Sequence, residues 1–359
     1  MLVFHAGPHK TATSYLQENL RRARGALDKR GWCYPRQGTG GTAGHHDLVG
    51  RNADWLKEDS KGRRELTRVP RDRSLVFSAE GAARWPPEHY HALAGLLGKD
   101  RVDVVYALRD PIDLFRSHWT EQIKQGQTMG LGERMAEHFA DPWSSALLNP
   151  LPVLQALAGD PGIRLHVIPF EVLKARKIDI FSHFCDAVLG LDGMSPGGAK
   201  PRNVAPAILE TEFLRLVTLM AADGARRISS TLRHRFMAET TGPERRAFGN
   251  LIRVHGVPAR RRVEFPAPHP FKVELENRLR ERLRGCWTLE PGEAPLYGCA
   301  GQEYIYYDAY GLMQNPEIAV AVEQMFKRLH AGGHTTHGVK AGLAKARAGL
   351  DRLRKGMQG

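Results

Sequence analysis

Five short runs rich in β-branched and apolar residues alternate with helical patterns over about the first 190 residues, and that alternation limits the fold more than any other feature. Leu2-Val3-Phe4-His5-Ala6 reads as a buried strand. A helix is expected from about Thr13 to Leu27, with Leu16, Leu20, Ala23 and Leu27 near 3.6-residue spacing. Further strands are expected at Gly31-Trp32-Cys33-Tyr34-Pro35, at Ser74-Leu75-Val76-Phe77-Ser78, at 101–108 and at 164–168. Strands separated by helices need crossover connections, so the chain should form an α/β fold in three layers, with a central parallel sheet covered on both faces. In such sheets ligands bind beyond the carboxyl ends of the strands. The glycine-rich stretch 37–44 and the segment 192–198 read as loops, the second closing the sheet region. Residues 204–285 look mainly helical, with breaks at Gly256-Val257-Pro258 and at Pro266, Pro268 and Pro270. The expected division is a core over 1–203, a mainly helical part over 204–326, and a basic amphipathic or disordered tail over 327–359.

Composition excludes some classes. With 42% hydrophobic and 25% charged residues, the 359-residue chain can bury a sizeable core. No run of about 18 apolar residues suggests a spanning helix. His5, His9 and Lys10 interrupt the only apolar start, so a signal peptide is not expected. Cys33, Cys185, Cys286 and Cys299 are scattered and form no C-x-x-C pair, which suits reduced thiols and a cytoplasmic setting. The net charge of +13 invites a polyanion-binding interpretation. Its distribution argues otherwise: residues 1–224 hold 29 basic and 26 acidic side chains, and the surplus lies in 225–262 and 327–359.

Gly7-Pro8-His9-Lys10-Thr11-Ala12-Thr13-Ser14 joins the first strand to the first helix. Backbone N–H groups at a helix start favour an anion, and lysine with hydroxyls completes a phosphate cradle. The G-x-x-x-x-G-K-[ST] pattern fails here, because His9 and not a second glycine precedes Lys10. An ordinary helix capped by Thr11 or Thr13 is the competing view. The fourth strand runs into Leu108-Arg109-Asp110-Pro111, and a helix carrying Ser117 follows. A planar guanidinium at a strand end and a serine two turns later can grip a second phosphate.

Together these residues resemble the sulfotransferases that use 3′-phosphoadenosine 5′-phosphosulfate (PAPS), and look closest to bacterial, carbohydrate-type members. Pro8-His9-Lys10-Thr11-Ala12-Thr13-Ser14 fits the family's 5′-phosphosulfate loop, P-x-K-[ST]-[GA]-[ST]-[ST], with Tyr15 where an aromatic residue is often found. Arg109 and Ser117 fit its 3′-phosphate motif, in which a serine stands eight residues after the arginine of Arg-Asp-Pro. Trp119 lies where an aromatic residue is common. Val167-Ile168-Pro169-Phe170-Glu171 resembles the family's fifth-strand ending, and Lys200-Pro201-Arg202-Asn203-Val204 its late Arg-Asn segment that closes over the nucleotide. The resemblance spans about residues 1–215. It implies a P-loop NTPase-like fold and transfer of SO₃ from PAPS to an acceptor hydroxyl, less readily an amine, leaving 3′,5′-adenosine bisphosphate. A carbohydrate or glycosylated metabolite is the expected acceptor, and no metal is implied.

Under that resemblance Lys10 would stabilise the leaving oxygen, while Pro8, His9, Lys10, Thr11, Ala12, Thr13 and Ser14, with Arg109, Ser117, Arg202 and Asn203, would hold the nucleotide. The base is open at this stage. His45 and His46 follow the glycine-rich loop and have a suitable pKa. Glu80, in Ser78-Ala79-Glu80 at the third strand's end, is their rival, and some carbohydrate sulfotransferases use glutamate. The His pair has no partnered metal-ligand spacing. The Arg-rich block 225–262 can serve an anionic acceptor if its arginines share a face; pairing with the acidic segment 263–326 is the bland alternative. Val339, Leu343, Ala346, Leu350, Leu353 and Met357 form a helical stripe, so 339–357 can make peripheral contact with an anionic membrane or lie as a loose tail. A nucleotide kinase of the same fold class, and a non-enzymatic basic protein for nucleic acid or membrane, are the competing functions. No nucleic-acid partner is expected on the first hypothesis.

Overall fold

The computed structural model describes residues 1–8, 11–49, 54–198, 208–222, 231–298 and 301–330. His9, Lys10, Arg202, Asn203 and the stripe 339–357 lie outside the described residues. The chain forms two compact units. One joins 1–114, 146–203 and 268–300; the other joins 115–145, 204–267 and 301–359. Residues 115–145 therefore group with C-terminal sequence, and 268–300 group with the sheet. A single cut near residue 203 does not describe this grouping.

The first unit is α/β. Its sheet has five parallel strands: β1 (Leu2–Gly7), β2 (Trp32–Cys33), β3 (Ser74–Ser78), β4 (Val102–Leu108) and β5 (Ile163–Pro169), in the order β2-β3-β1-β4-β5. All six residues of β1 are buried, as a central parallel strand requires. Side chains alternate between the two faces. Val3, Val76, Val105 and Ile168 meet Leu16, Leu20, Phe181 and Phe184 on one face. On the other, Phe4 lies against Phe77, Trp85 and Tyr90, with ring centroids 6.3, 5.2 and 5.5 Å apart. The edge strand β5 is partly covered: Val167 donates to Cys286 O (2.7 Å) and accepts from Thr288 N (3.0 Å), so no long bare edge remains there.

Two expected elements come out shorter. β2 holds only Trp32 and Cys33. The expected helix from Thr13 to Leu27 divides into Thr13–Arg22 and Arg24–Asp28. At the break Arg24 turns to the carbonyls of Tyr34 and Pro35 (2.9 and 3.1 Å) and covers the Tyr34 ring.

The second unit is helical around Phe213, which stacks on Phe248 at 4.2 Å. It also contains an antiparallel ribbon of β6 (Arg260–Phe265) and β7 (Gln302–Tyr307), within a stretch whose sequence looked mainly helical. Three consecutive arginines hide the strand's alternation, since Arg260, Arg261 and Arg262 are all exposed. A buried ion pair joins Arg215 Nε to Glu212 (2.6 Å), and Arg215 also donates to the carbonyl of Tyr307 at 3.2 Å. No helix among the described residues is long and apolar enough to cross a membrane.

Candidate functional site

The chain leaves β1 toward β2 and β3, and leaves β4 toward β5 on the opposite side. The carboxyl ends of β1 and β4 therefore flank the crevice where the connections diverge, the usual ligand position in open parallel sheets. Pro8 to Ser14 follow β1 and Arg109 follows β4, so both sequence motifs of the first unit begin at this crevice.

Backbone geometry at the loop is tightly specified. Gly7 has φ +104°, and a Cβ there would stand 3.0 Å from Glu80 Cα and 3.2 Å from Glu80 O. Only glycine accepts both the dihedral and the contact. The loop after β1 and the turn after β3 are thus in direct backbone contact. The Gly7-Pro8 peptide is cis, and Thr11 Oγ1 donates to Pro8 O (2.7 Å).

The helix Thr13–Arg22 begins without the cap that its sequence offered. Ala12 occupies the capping position in the left-handed region (φ 55°), and it supplies no side-chain cap. Thr11 is turned inward to Pro8, and Thr13 donates its hydroxyl to Glu80. No acidic residue stands in the first turn. Backbone N–H groups at a helix start carry the positive end of the macrodipole, so an uncapped start suits an anion. Ser14 is exposed at that start. Of the two hydroxyls expected to face a 5′-phosphate, Ser14 is therefore open and Thr13 is engaged.

Arg109 is largely buried beside Glu171, with Nε 4.0 Å from Oε1. Glu171 opens the short helix Phe170–Ala175 directly after β5, so the Pro169-Phe170-Glu171 ending meets the arginine across neighbouring strand ends. Ser117 is half-buried in the second turn of Pro111–Lys124 and belongs to the second unit; its link to Arg109 is one of sequence spacing. Asp110, 1% exposed, caps that helix through Ile112 N (2.9 Å) and Asp113 N (3.3 Å). Its other oxygen receives Lys272 Nζ at 2.5 Å and Gly298 N at 3.2 Å. Lys272 lies 162 residues away, and no local pattern announces it.

The candidate bases separate clearly. His45 is fully buried. Its Nδ1 accepts from Ser78 N (3.1 Å), so Nε2 carries the proton and donates to Pro35 O (3.1 Å). Burial drives its pKa down to about 3. Both ring nitrogens are engaged with backbone and no solvent reaches them, so His45 is corrected from candidate base to structural residue. His46 is exposed on the turn His46–Leu48. Glu80 opens the turn Glu80–Arg84 and is half-buried. His5 lies in the core as its strand position suggested: Nδ1 meets Ser78 Oγ at 2.8 Å, and burial lowers its pKa to about 4.

Several contacts escaped the sequence. Tyr15 donates to Asp179 (2.6 Å), which caps Ile180–Ala187. Thr13 and Glu80 are 67 residues apart, and neither lies in a pattern that pairs them. The Arg-rich block is spread over two helices and β6. Arg235 donates to Leu329 O, Arg245 to Thr240 O, and Arg262 pairs with Glu264 and Glu303. Among the described residues no group of three or more His, Cys, Asp or Glu side chains could hold a metal ion. Cys33, Cys185 and Cys286 are free thiols. Comparison of the chain with protein-family models, with curated proteins and with solved structures finds no match.

Proposed function

We propose that the protein is a PAPS-dependent sulfotransferase acting on an acceptor hydroxyl. The observation that carries this is the uncapped start of Thr13–Arg22, set at the sheet crevice behind Lys10 in sequence and against Glu80 in space. An anion-accepting helix start and a carboxylate at the next strand's end supply the two halves of a group transfer: a seat for the leaving phosphate and an acceptor for the proton.

In that reaction the acceptor oxygen forms its bond to sulfur as the bond from sulfur to the 5′-phosphate oxygen breaks. Backbone N–H groups at 12–14 and the Ser14 hydroxyl would hold the 5′-phosphate. Lys10 would offset the charge that develops on the leaving oxygen. Arg109, with Ser117 by their eight-residue spacing, would hold the 3′-phosphate, and Glu171 keeps the guanidinium oriented. Glu80 would take the acceptor proton. Thr13 already donates to Glu80, which orients the carboxylate at the helix start. Exposed His46 is the rival base on the neighbouring turn. Holding donor, acceptor and base in line is itself a large part of such catalysis. The kinase alternative gains nothing at Asp110, whose oxygens are spent on a helix cap and on Lys272.

Labelled-PAPS transfer to a panel of glycans and small alcohols tests the proposal. Glu80→Gln should reduce transfer by on the order of 10²- to 10⁴-fold, and His45→Ala should act through stability. A Glu80→Gln enzyme with full activity would move the base to His46.

A further inference from the structure

A cavity of about 620 Å³ lies between the glycine-rich loop and the helix Lys61–Leu66, wholly within the first unit. That volume is in the usual range of small-molecule sites, about 300–1,000 Å³. Its position follows from contacts on either side of Glu80. His45 is bonded to Ser78 in both directions, through His45 N to Ser78 O (2.7 Å) and Ser78 N to His45 Nδ1. Val49 lies against Gly81, where a Cβ would approach within 2.8 Å of it. The segment 46–48 therefore runs beside the Glu80 turn, and Asp47 and Leu48 of that segment line the cavity. Trp55 forms another part of the wall. Its indole donates to Leu48 O (2.9 Å), and its ring lies 5.7 Å from that of Trp85, which follows the Glu80–Arg84 turn.

The lining sets three carboxylates, Asp47, Asp54 and Glu65, and two cations, Arg36 and Lys61, among bare glycine backbone. Gly40 has φ +54°, and a Cβ on it would stand 2.7 Å from Asp47 Oδ1. A Cβ on Gly62 would stand 2.3 Å from Asp54 Oδ1. Each carboxylate thus occupies space that any side chain at the facing glycine would take. Lys61 leans toward Glu65 at 3.9 Å, so part of the basic charge of the wall is already offset. Carboxylates accept hydroxyl hydrogens through two oxygens each and repel other anions. A wall with both donors and acceptors and no net positive charge suits adjacent hydroxyls on a sugar ring and offers a polyanion no net attraction.

We infer that this cavity seats the acceptor, and that the acceptor is a neutral, hydroxyl-rich molecule such as an uncharged glycan unit. Its role as an acceptor seat rests on the sulfotransferase proposal; its preference for neutral polyols does not. This locates acceptor choice in the first unit, away from the Arg-rich block.

The test applies the full-length chain, without donor, to an array of neutral and acidic oligosaccharides, and follows the tightest binders by calorimetry. Asp47→Asn and Asp54→Asn are compared with the parent, with circular dichroism as a check on folding. The expected result is binding of neutral oligosaccharides that either substitution weakens at least tenfold. Preferential binding of acidic oligosaccharides, neutral binding indifferent to both substitutions, or no saccharide bound across the array would each overturn the inference. A parallel titration with 3′,5′-adenosine bisphosphate separates the two claims. If bisphosphate fails to bind while neutral saccharides bind through Asp47 and Asp54, the donor proposal falls and the cavity assignment stands. If bisphosphate binds and saccharides do not, the reverse holds.

Discussion

Two helices start at neighbouring strand ends of the first unit, and they begin in opposite ways. Thr13–Arg22 starts behind Ala12, with no side-chain cap and no acid in its first turn. Pro111–Lys124 starts behind Asp110, whose carboxylate takes two backbone N–H groups and is itself neutralised by Lys272. The second start is closed by the protein's own anion. The first has no side-chain cap, and on the sulfotransferase proposal its N–H groups receive the 5′-phosphate. A missing N-cap forgoes roughly 0.5–2 kcal/mol of stability, and that loss, three residues after Lys10 in sequence, is what the proposal explains.

The contrast can be broken in several ways. Lys10→Ala should cost transfer on the order of 10³-fold, in the range of losing one charge-stabilising donor, while leaving thermal stability nearly unchanged. A silent Lys10→Ala in the transfer assay would remove the open start from the chemistry. At the closed start the same kind of change should act on folding. Lys272→Ala leaves Asp110 buried without its cation and should destabilise by about 3–5 kcal/mol, measured by denaturant titration. A smaller loss, under about 1 kcal/mol, would show that the cap alone holds Asp110.

Closing the open start is a sharper experiment. Asp tolerates the left-handed backbone of position 12 better than most residues, so Ala12→Asp should supply the missing cap. It should raise stability by about 1 kcal/mol and weaken 3′,5′-adenosine bisphosphate by more than tenfold, through like-charge repulsion. Unchanged bisphosphate affinity would mean that the helix start is not the phosphate seat.

The effect most remote from the chemistry concerns the buried histidines behind the loop. His5 and His45 are neutral in the fold, with pKa values pushed to about 4 and about 3 by burial. An unfolded histidine titrates near 6.5. Between those values the unfolded chain binds more protons than the folded one, so stability falls as pH drops from about 6.5 toward 4, by up to about 1.4 kcal/mol per histidine per pH unit. His45→Gln should flatten that slope in denaturant titrations across the same window. A slope unaltered by His45→Gln would show that its burial has no part in the acid response.

The sequence revealed the two regions unequally. All five parallel strands were readable, because each is a short apolar run with turn residues around it. The loop after β1 and the Arg-Asp-Pro after β4 stand out in the sequence because their residue types are compressed into consecutive positions, and both fall at strand ends. What lay outside reach is held by distant partners: Lys272 on Asp110, Glu171 beside Arg109, Glu80 with Thr13. His45 looked like a base from its place after a flexible loop. Only the fold shows that its neighbour His46 took the exposed position. The ribbon of β6 and β7 was obscured because its arginines face solvent and carry no apolar alternation.

Calorimetry of the full-length protein with 3′,5′-adenosine bisphosphate, against ATP with magnesium, tests the central claim most directly, with Arg109→Ala as the paired variant. Bisphosphate should bind without magnesium and more tightly than ATP, and Arg109→Ala should weaken it at least tenfold. Tighter binding of ATP, or bisphosphate binding indifferent to Arg109→Ala, would contradict the account.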